Sequence, residues 1–294
     1  MLTHQDISIV LVTYNSENII KNFLLQSQLQ DHKNIIIVDN ASRDKTVSII
    51  KKLRPDVHVI KLKENIGFGS AVNLGLDNNQ SEYTLVINPD TFLSTSFFND
   101  LYSGILRNDT AGLIAPTIVN DNYFLSPPLS EFKKNIGHKL HLKNYDQSVN
   151  FISGACFLIK PSLFLSKKIF DENIFMFYED NDLSKQIELM GLDKIILSDC
   201  FIYHQGESSS SPTHFITALK NFHYGWSESY FTKKYQSNRT AEWKNLLTLL
   251  NYTKRIIFFS LTLNLKRLIP AWYRLKGKIS FMRNKKAQDI RENF

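Results

Sequence analysis

Residues 7–15 read ISIVLVTYN, an apolar run from Ile7 to Val12 that ends on Thr13, Tyr14 and Asn15. The same figure returns at 35–40, IIIVDN, where Asp39 and Asn40 follow Ile35 to Val38. It returns again at 83–90, YTLVINPD, where Asn88, Pro89 and Asp90 follow Tyr83 to Ile87. Ligands of open α/β sheets bind outside the carboxyl ends of the strands, so polar residues after three separate strands converge on one crevice. That crevice suits a phosphorylated ligand.

Helical patterns fill the intervals. Ser16 can cap a helix with Ile19, Ile20, Phe23 and Leu24 on one face, and Ser42 or Asp44 can start a second that Pro55 ends. A third strand is expected over Val57 to Leu62 and a short helix over Gly69 to Leu76. A helix near Ser96 to Leu106 and a strand near Gly112 to Ile118 follow. Alternation of this kind predicts an α/β fold with a mostly parallel sheet covered by helices. Between Asn120 and Gln147 the pattern dissolves into a polar stretch with Pro127, Pro128 and Gly137. Beyond it the sequence predicts a strand over Val149 to Ile159, a helix opened by Glu179, Asp180 and Asp182 and ended by Gly191, and a strand near Ile195 to Leu197 leading to His204.

Composition sets the bounds on function. A chain of 294 residues with 43% hydrophobic and 21% charged residues builds an ordinary globular core, which excludes a disordered or fibrous protein. Cys156 and Cys200 each sit in an apolar stretch, so buried reduced thiols are expected rather than a disulfide, and a cytoplasmic location follows. No basic and apolar leader precedes Ile7, and no apolar run is long enough to span a bilayer. The net charge of +7 is unevenly spread: from Asn251 onward eleven Lys or Arg face only Asp289 and Glu292, so the rest of the chain is slightly acidic. Ser208 to Ser211 with Pro212 marks a boundary, which predicts a catalytic domain over 1–211 and a basic helical region over 212–294.

Four groups of residues can carry chemistry. Asp90, at a strand end beside an amide and a rigid proline, can coordinate a hard divalent cation and through it a diphosphate, although Asn-Pro-Asp is also a common turn. Asn65, Gly67, Gly69 and Asn73 can bring backbone amides against a phosphate at a helix start, or simply make the entry turn. Glu179, Asp180 and Asp182 crowd three carboxylates at a helix N-terminus, where they favour the helix dipole or raise one another's pKa toward general-base duty. His204 is a packed core histidine, or else the nitrogen ligand completing a mixed set that suits manganese as well as magnesium.

Taken together, Val12 to Asn15, Val38 to Ser42 with Asp44, Asn65 to Asn73, Asn88 to Asp90, Glu179 to Asp182 and His204 to Ser208 resemble the inverting glycosyltransferase family 2, above all its bacterial rhamnosyltransferase-like members. The resemblance covers residues 7 to 210. It implies a GT-A fold, a donor that is a UDP- or dTDP-linked sugar, a Mg2+ or Mn2+ cofactor, and transfer of rhamnose or another hexose to a glycan or lipid-linked hydroxyl in cell-surface polysaccharide synthesis. By position it implies that Thr13, Tyr14 and Asn15 border the nucleotide, that Asp39 accepts a hydrogen bond from the base, and that Asn65 and Gly67 lie beside the diphosphate. Asn88 and Asp90 match the metal-binding Asp-x-Asp, His204 a metal-binding histidine of some members, and Asp180 the catalytic base. Asn88 departs from the pattern by lacking a carboxylate, so Asp90 and the donor phosphates must carry more of the metal binding.

The basic tail from Lys254 to Lys278 interleaves cations with Ile256, Phe258, Leu261, Leu265 and Trp272, and Pro270 kinks or breaks it. It lies on an anionic membrane surface, peripherally on the inner face of the cell membrane, or it packs on the domain with a solvated basic face. No nucleic-acid-binding module accompanies the charge. The rival functions are a sugar nucleotidyltransferase, which would need a glycine-rich basic segment near the first strand, and a non-catalytic nucleotide- or sugar-binding protein.

Overall fold

In a computed structural model the chain is described at residues 3, 5–119, 145–164, 168–205 and 214–290. It forms two compact units, one of Met1–Asn65, Ala71–Ile169 and Leu183–Ser210, the other of Ile66–Ser70, Phe170–Asp182 and Ser211–Phe294. The second unit therefore recruits two short stretches from earlier in the chain besides its C-terminal helices. The segment expected to be a polar loop and the Ser208 to Pro212 boundary lie almost wholly outside the described residues.

The first unit holds a single sheet of nine strands among the described residues. They are β1 (Ile7–Thr13), β2 (Ile35–Asp39), β3 (His58–Lys61), β4 (Tyr83–Ile87), β5 (Thr91–Leu93), β6 (Leu113–Val119), β7 (Gln147–Ser148), β8 (Cys156–Ile159) and β9 (Lys194–His204). The order is β3-β2-β1-β4-β8-β6-β9-β5, with β7 also on β9. β3, β2, β1 and β4 run parallel, so Thr13 and Asp39 pair directly and the polar residues ending these strands share one edge. Ile7, Ile9 and Leu11 alternate onto a face packed with Ile37, Leu85, Phe97 and Leu101, while Val10 and Val38 close on Gly75. The helices are α1 (Ile20–Leu24), α2 (Thr46–Leu53), α3 (Phe68–Asp77), α4 (Phe97–Arg107) and α5 (Glu179–Leu189), of which α3 up to Ser70 and α5 up to Asp182 count with the second unit. Asp44 stands one residue ahead of the Lys45 N-cap of α2, which makes no side-chain cap bond, and its carboxylate accepts the Thr46 N–H at 3.0 Å. Ser16 does not cap α1, which begins at Ile20 without a side-chain cap.

Three strand assignments differ from the sequence reading. The expected strand over Val149 to Ile159 is only β8, antiparallel to β4 and β6, with the short β7 before it. β9 is one continuous strand whose pairing with β6 shifts between Pro116 and Thr117. Pro116 brings no N–H to the ladder, and the extra residues Ser198 to Cys200 form a bulge past which the strand expected near Ile195 to Leu197 runs on. The bulge is clamped where the Ser198 N–H donates to Asp146 at 3.0 Å and Arg107 bridges Asp146 and Asp199. The third difference is β5, three residues long and not anticipated, which pairs antiparallel with β9. Cys156 and Cys200 are both free and buried.

The second unit contains α6 (His214–Tyr235), α7 (Asn238–Leu261) and α8 (Leu265–Met282). Gly225 and Gly277 let α6 and α8 meet backbone to backbone, since a Cβ on Gly225 would strike the Arg274 carbonyl and one on Gly277 the Phe222 carbonyl. Lys278 is buried on α8 and ion-paired with Glu228 of α6 at 2.8 Å. The basic tail is thus two helices rather than one. Asn264, whose side chain accepts the Arg267 N–H, caps α8 after a turn at Leu263, and Tyr252, Phe259 and Ala271 pack α7 on α8. Pro270 sits inside α8 without ending it. Among the described residues no helix is long and apolar enough to cross a membrane.

Candidate active site

In the first unit the carboxyl edge of the parallel strands carries most of the residues singled out above. Thr13 and Asp39 are fully buried, and the Thr13 hydroxyl donates to Asp39 at 3.1 Å. The second Asp39 oxygen accepts the Ser42 N–H at 3.1 Å. Asn15 and Ala41 both take the left-handed conformation, with φ of 51° and 68°. Asn15 locks the two loops together, its N–H donating to Ser42 Oγ at 2.9 Å and its side chain accepting from the Arg43 N–H at 2.9 Å. Strained backbone held by such a lattice is a mark of preorganised sites. Tyr14 projects outward between these tied residues. Next to them the Asn40 amide donates to Asn65 at 2.9 Å.

At the end of β4, Asp90 is buried and its Oδ1 lies 3.2 Å from His204 Nε2, whose side chain is 24% exposed. The unforeseen β5 accounts for this pairing: Thr91 lies opposite His204 in the ladder, and the Gln205 N–H donates to the Asp90 carbonyl at 3.0 Å. Gln26 holds the other edge of β5, donating to the Thr91 carbonyl at 2.9 Å and accepting the Leu93 N–H at 2.7 Å. Gln26 escaped the sequence reading because a glutamine beside the apolar run of α1 has no pattern of its own. Asn88 stands half-buried, its N–H donating to Ala155 at 2.9 Å. One carboxylate oxygen and one imidazole nitrogen make a donor set that fits Mn2+ or Mg2+, provided water and phosphate oxygens fill the rest of the shell. Among the described residues no group of three or more His, Cys, Asp or Glu forms a complete protein cage.

The three clustered acids belong to different surroundings. In the second unit Asp182 is fully buried, 2.7 Å from Lys234 Nζ and 2.9 Å from the Tyr235 hydroxyl; Lys234 also meets Asp171 at 2.7 Å. Asp182 is therefore an anchor between the acidic segment and α6. Glu179 is only partly buried as a residue, but its Oε2 is buried without a hydrogen-bond partner among the described residues. Burial and the adjacent Asp180 charge push its pKa up to about 8. Asp180 is half-buried, with its Oδ1 accepting the Asn181 N–H at 2.9 Å. Phe177 and Tyr178, immediately upstream, both have left-handed φ, 64° and 69°, and their rings pack on Tyr224.

The glycine group separates into two roles. Gly67 has a φ of 88° and lies against the Phe175 carbonyl in the second unit, so any side chain would both strain the backbone and collide. Asn73 is a buried structural residue of the first unit, accepting the Ile169 N–H at 3.1 Å.

The family profile described as Glycosyl transferase family 2 matches residues 8–165. The chain is 30% identical over 186 residues to a low-salt glycan biosynthesis hexosyltransferase of Haloferax volcanii, covering 60% of this chain and 59% of that protein's length. It is 24% identical over 261 residues to the N-acetylglucosaminyl-diphospho-decaprenol L-rhamnosyltransferase of Mycobacterium tuberculosis, covering 74% of this chain and 85% of the relative. Its fold is similar to the mannosyltransferase PcManGT from Pyrobaculum calidifontis, solved with GDP-Man and Mn2+, with a TM-score of 0.58, 16% identity, and coverage of 96% of this chain and 88% of that one. The architecture is GT-A.

Proposed function

The chain belongs to glycosyltransferase family 2 and is a glycosyltransferase, and from that premise we propose a metal-assisted, inverting transfer of rhamnose or another hexose from a UDP- or dTDP-linked donor to a hydroxyl of a glycan or lipid-linked acceptor. The observation that carries this reading is Asp90 paired with His204 at the carboxyl end of β4, on the same sheet edge as the buried Thr13 and Asp39 pair. Tyr14 and Asn15 border the nucleotide, Asp39 accepts from its base, and Asn65, Gly67 and Asn88 approach the diphosphate. Asp90 and His204 hold the cation, which when bound neutralises charge on the diphosphate. A neighbour solved with GDP-Man and Mn2+ supports a nucleotide-sugar donor and a divalent metal.

Asp180 acts as general base. It takes the proton of the acceptor hydroxyl as that oxygen bonds to the anomeric carbon from the face opposite the diphosphate. The bond from anomeric carbon to phosphate oxygen breaks, the nucleoside diphosphate leaves with the electron pair, and configuration inverts. Glu179, kept neutral by burial, and Asp182, bound to Lys234, are poorly suited to that duty, which favours Asp180. The relative acting on a diphospho-decaprenol supports a lipid-linked acceptor in cell-surface polysaccharide synthesis. Such an acceptor places the enzyme peripherally at the inner face of the cell membrane, with its basic C-terminal helices on anionic lipid. The test is a panel of nucleotide sugars assayed for metal-dependent release of nucleoside diphosphate, with and without polyprenyl-diphosphate acceptors. Release from one donor that rises with lipid-linked acceptor supports the reading; no release from any donor with Mg2+ or Mn2+ overturns it.

A further inference from the structure

A cavity of about 260 Å³ opens between α7 and α8, beside the turn that joins them. Its floor includes Tyr252 and Phe259, and four cations line it: Arg255 from α7 and Lys266, Arg267 and Arg274 from α8. None of the four meets a carboxylate among the described residues. Arg274 is preorganised, its Nε donating to Asn221 at 2.8 Å and its guanidinium lying 4.1 Å from the centre of the Tyr224 ring. Lys266 and Arg267 stand in the first turn of α8, which holds no acidic residue. Cations at the positive end of a helix dipole repel it, and an anion seated there relieves the repulsion.

A soluble phosphate would need only the cations. Here the same turn also exposes Phe258 by 60%, Leu261 by 80%, Leu263 by 84% and Leu265 by 63%, a cluster of large apolar side chains in water. Cations around a concavity with apolar residues projecting beside it match the boundary between headgroups and acyl chains of an anionic bilayer.

We propose that this cavity is a headgroup site for an anionic phospholipid, seated by Arg255, Lys266, Arg267 and Arg274 while Phe258, Leu261, Leu263 and Leu265 enter the acyl boundary. The inference deepens the membrane reading of the C-terminal helices and rests on it. The full chain is floated with phosphatidylcholine vesicles and with vesicles that also contain phosphatidylglycerol, and circular dichroism verifies folding of each variant. The wild-type chain binds only the anionic vesicles. Replacing the exposed Arg255, Lys266 and Arg267 by Ala weakens capture by about tenfold or more, whereas removing the same charge at Arg283, Lys285 and Lys286 has a much smaller effect. The double variant Leu261→Ser, Leu263→Ser, with every cation kept, also weakens capture. Failure of the wild-type chain to bind either vesicle overturns the membrane reading itself. Equal loss in the two triple variants leaves that reading standing and overturns the cavity, and full retention by the Leu variant overturns the bilayer as its occupant.

Discussion

Asp180, with Glu179 before it and Asp182 two positions on, shows how far one carboxylate differs from its neighbours. Asp182 is bound to Lys234 and Tyr235, so Asp182→Asn is expected to lower stability by about 1–3 kcal/mol in urea melts while the folded enzyme keeps its turnover. Asp180→Asn should do the reverse, leaving the melt unchanged and reducing turnover by about 10²–10⁴-fold with donor binding retained. Glu179 supplies a pH test. Its folded pKa of about 8 lies above the 4.5 of an ordinary glutamate, so the folded state holds a proton that the unfolded chain releases. Stability from this group is therefore full below pH 4.5 and falls as pH rises toward 8. Glu179→Gln should match the wild type near the lower value and gain on it steadily toward the upper one. Urea midpoints across that range measure the difference, and a constant offset would contradict the assignment.

At the scale of elements, β5 decides the geometry of the site. Its three residues pair with β9 on one side and with the Gln26 side chain on the other, which sets Asp90 opposite His204. Gln26→Ala leaves the Leu93 N–H and the Thr91 carbonyl without these partners, and should cost about 1–3 kcal/mol together with a larger fall in metal-dependent activity than in stability. Denaturation and a metal titration of activity check the two effects separately. The long apolar runs of β1, β2 and β4 were legible because each ends on a polar residue at the sheet edge, and the residues of the crevice followed from them. β5 was not legible, since three residues carry no periodicity, nor was the bulge of β9, whose polar Ser198 and Asp199 interrupt the apolar pattern. The two-helix form of the tail was hidden because the polar turn ahead of α8 is only a few residues long amid cations and leucines.

For the whole molecule, charge and chemistry divide along the chain. The slightly acidic first part carries the sheet edge with Asp39 and Asp90, and the strongly basic end carries the exposed apolar turn of α7 and α8. A nucleotide-sugar crevice that uses a cation should bind nucleoside diphosphate only when the cation is present. Calorimetric titration of UDP and dTDP into the full chain, in Mn2+ and then in EDTA, tests this directly, with Asp90→Asn and Asp180→Asn alongside. Mn2+-dependent binding of at least one nucleotide is expected, weakened about tenfold or more in Asp90→Asn and preserved in Asp180→Asn. Equal binding in EDTA, or an Asp90→Asn variant that binds as the wild type does, would contradict it.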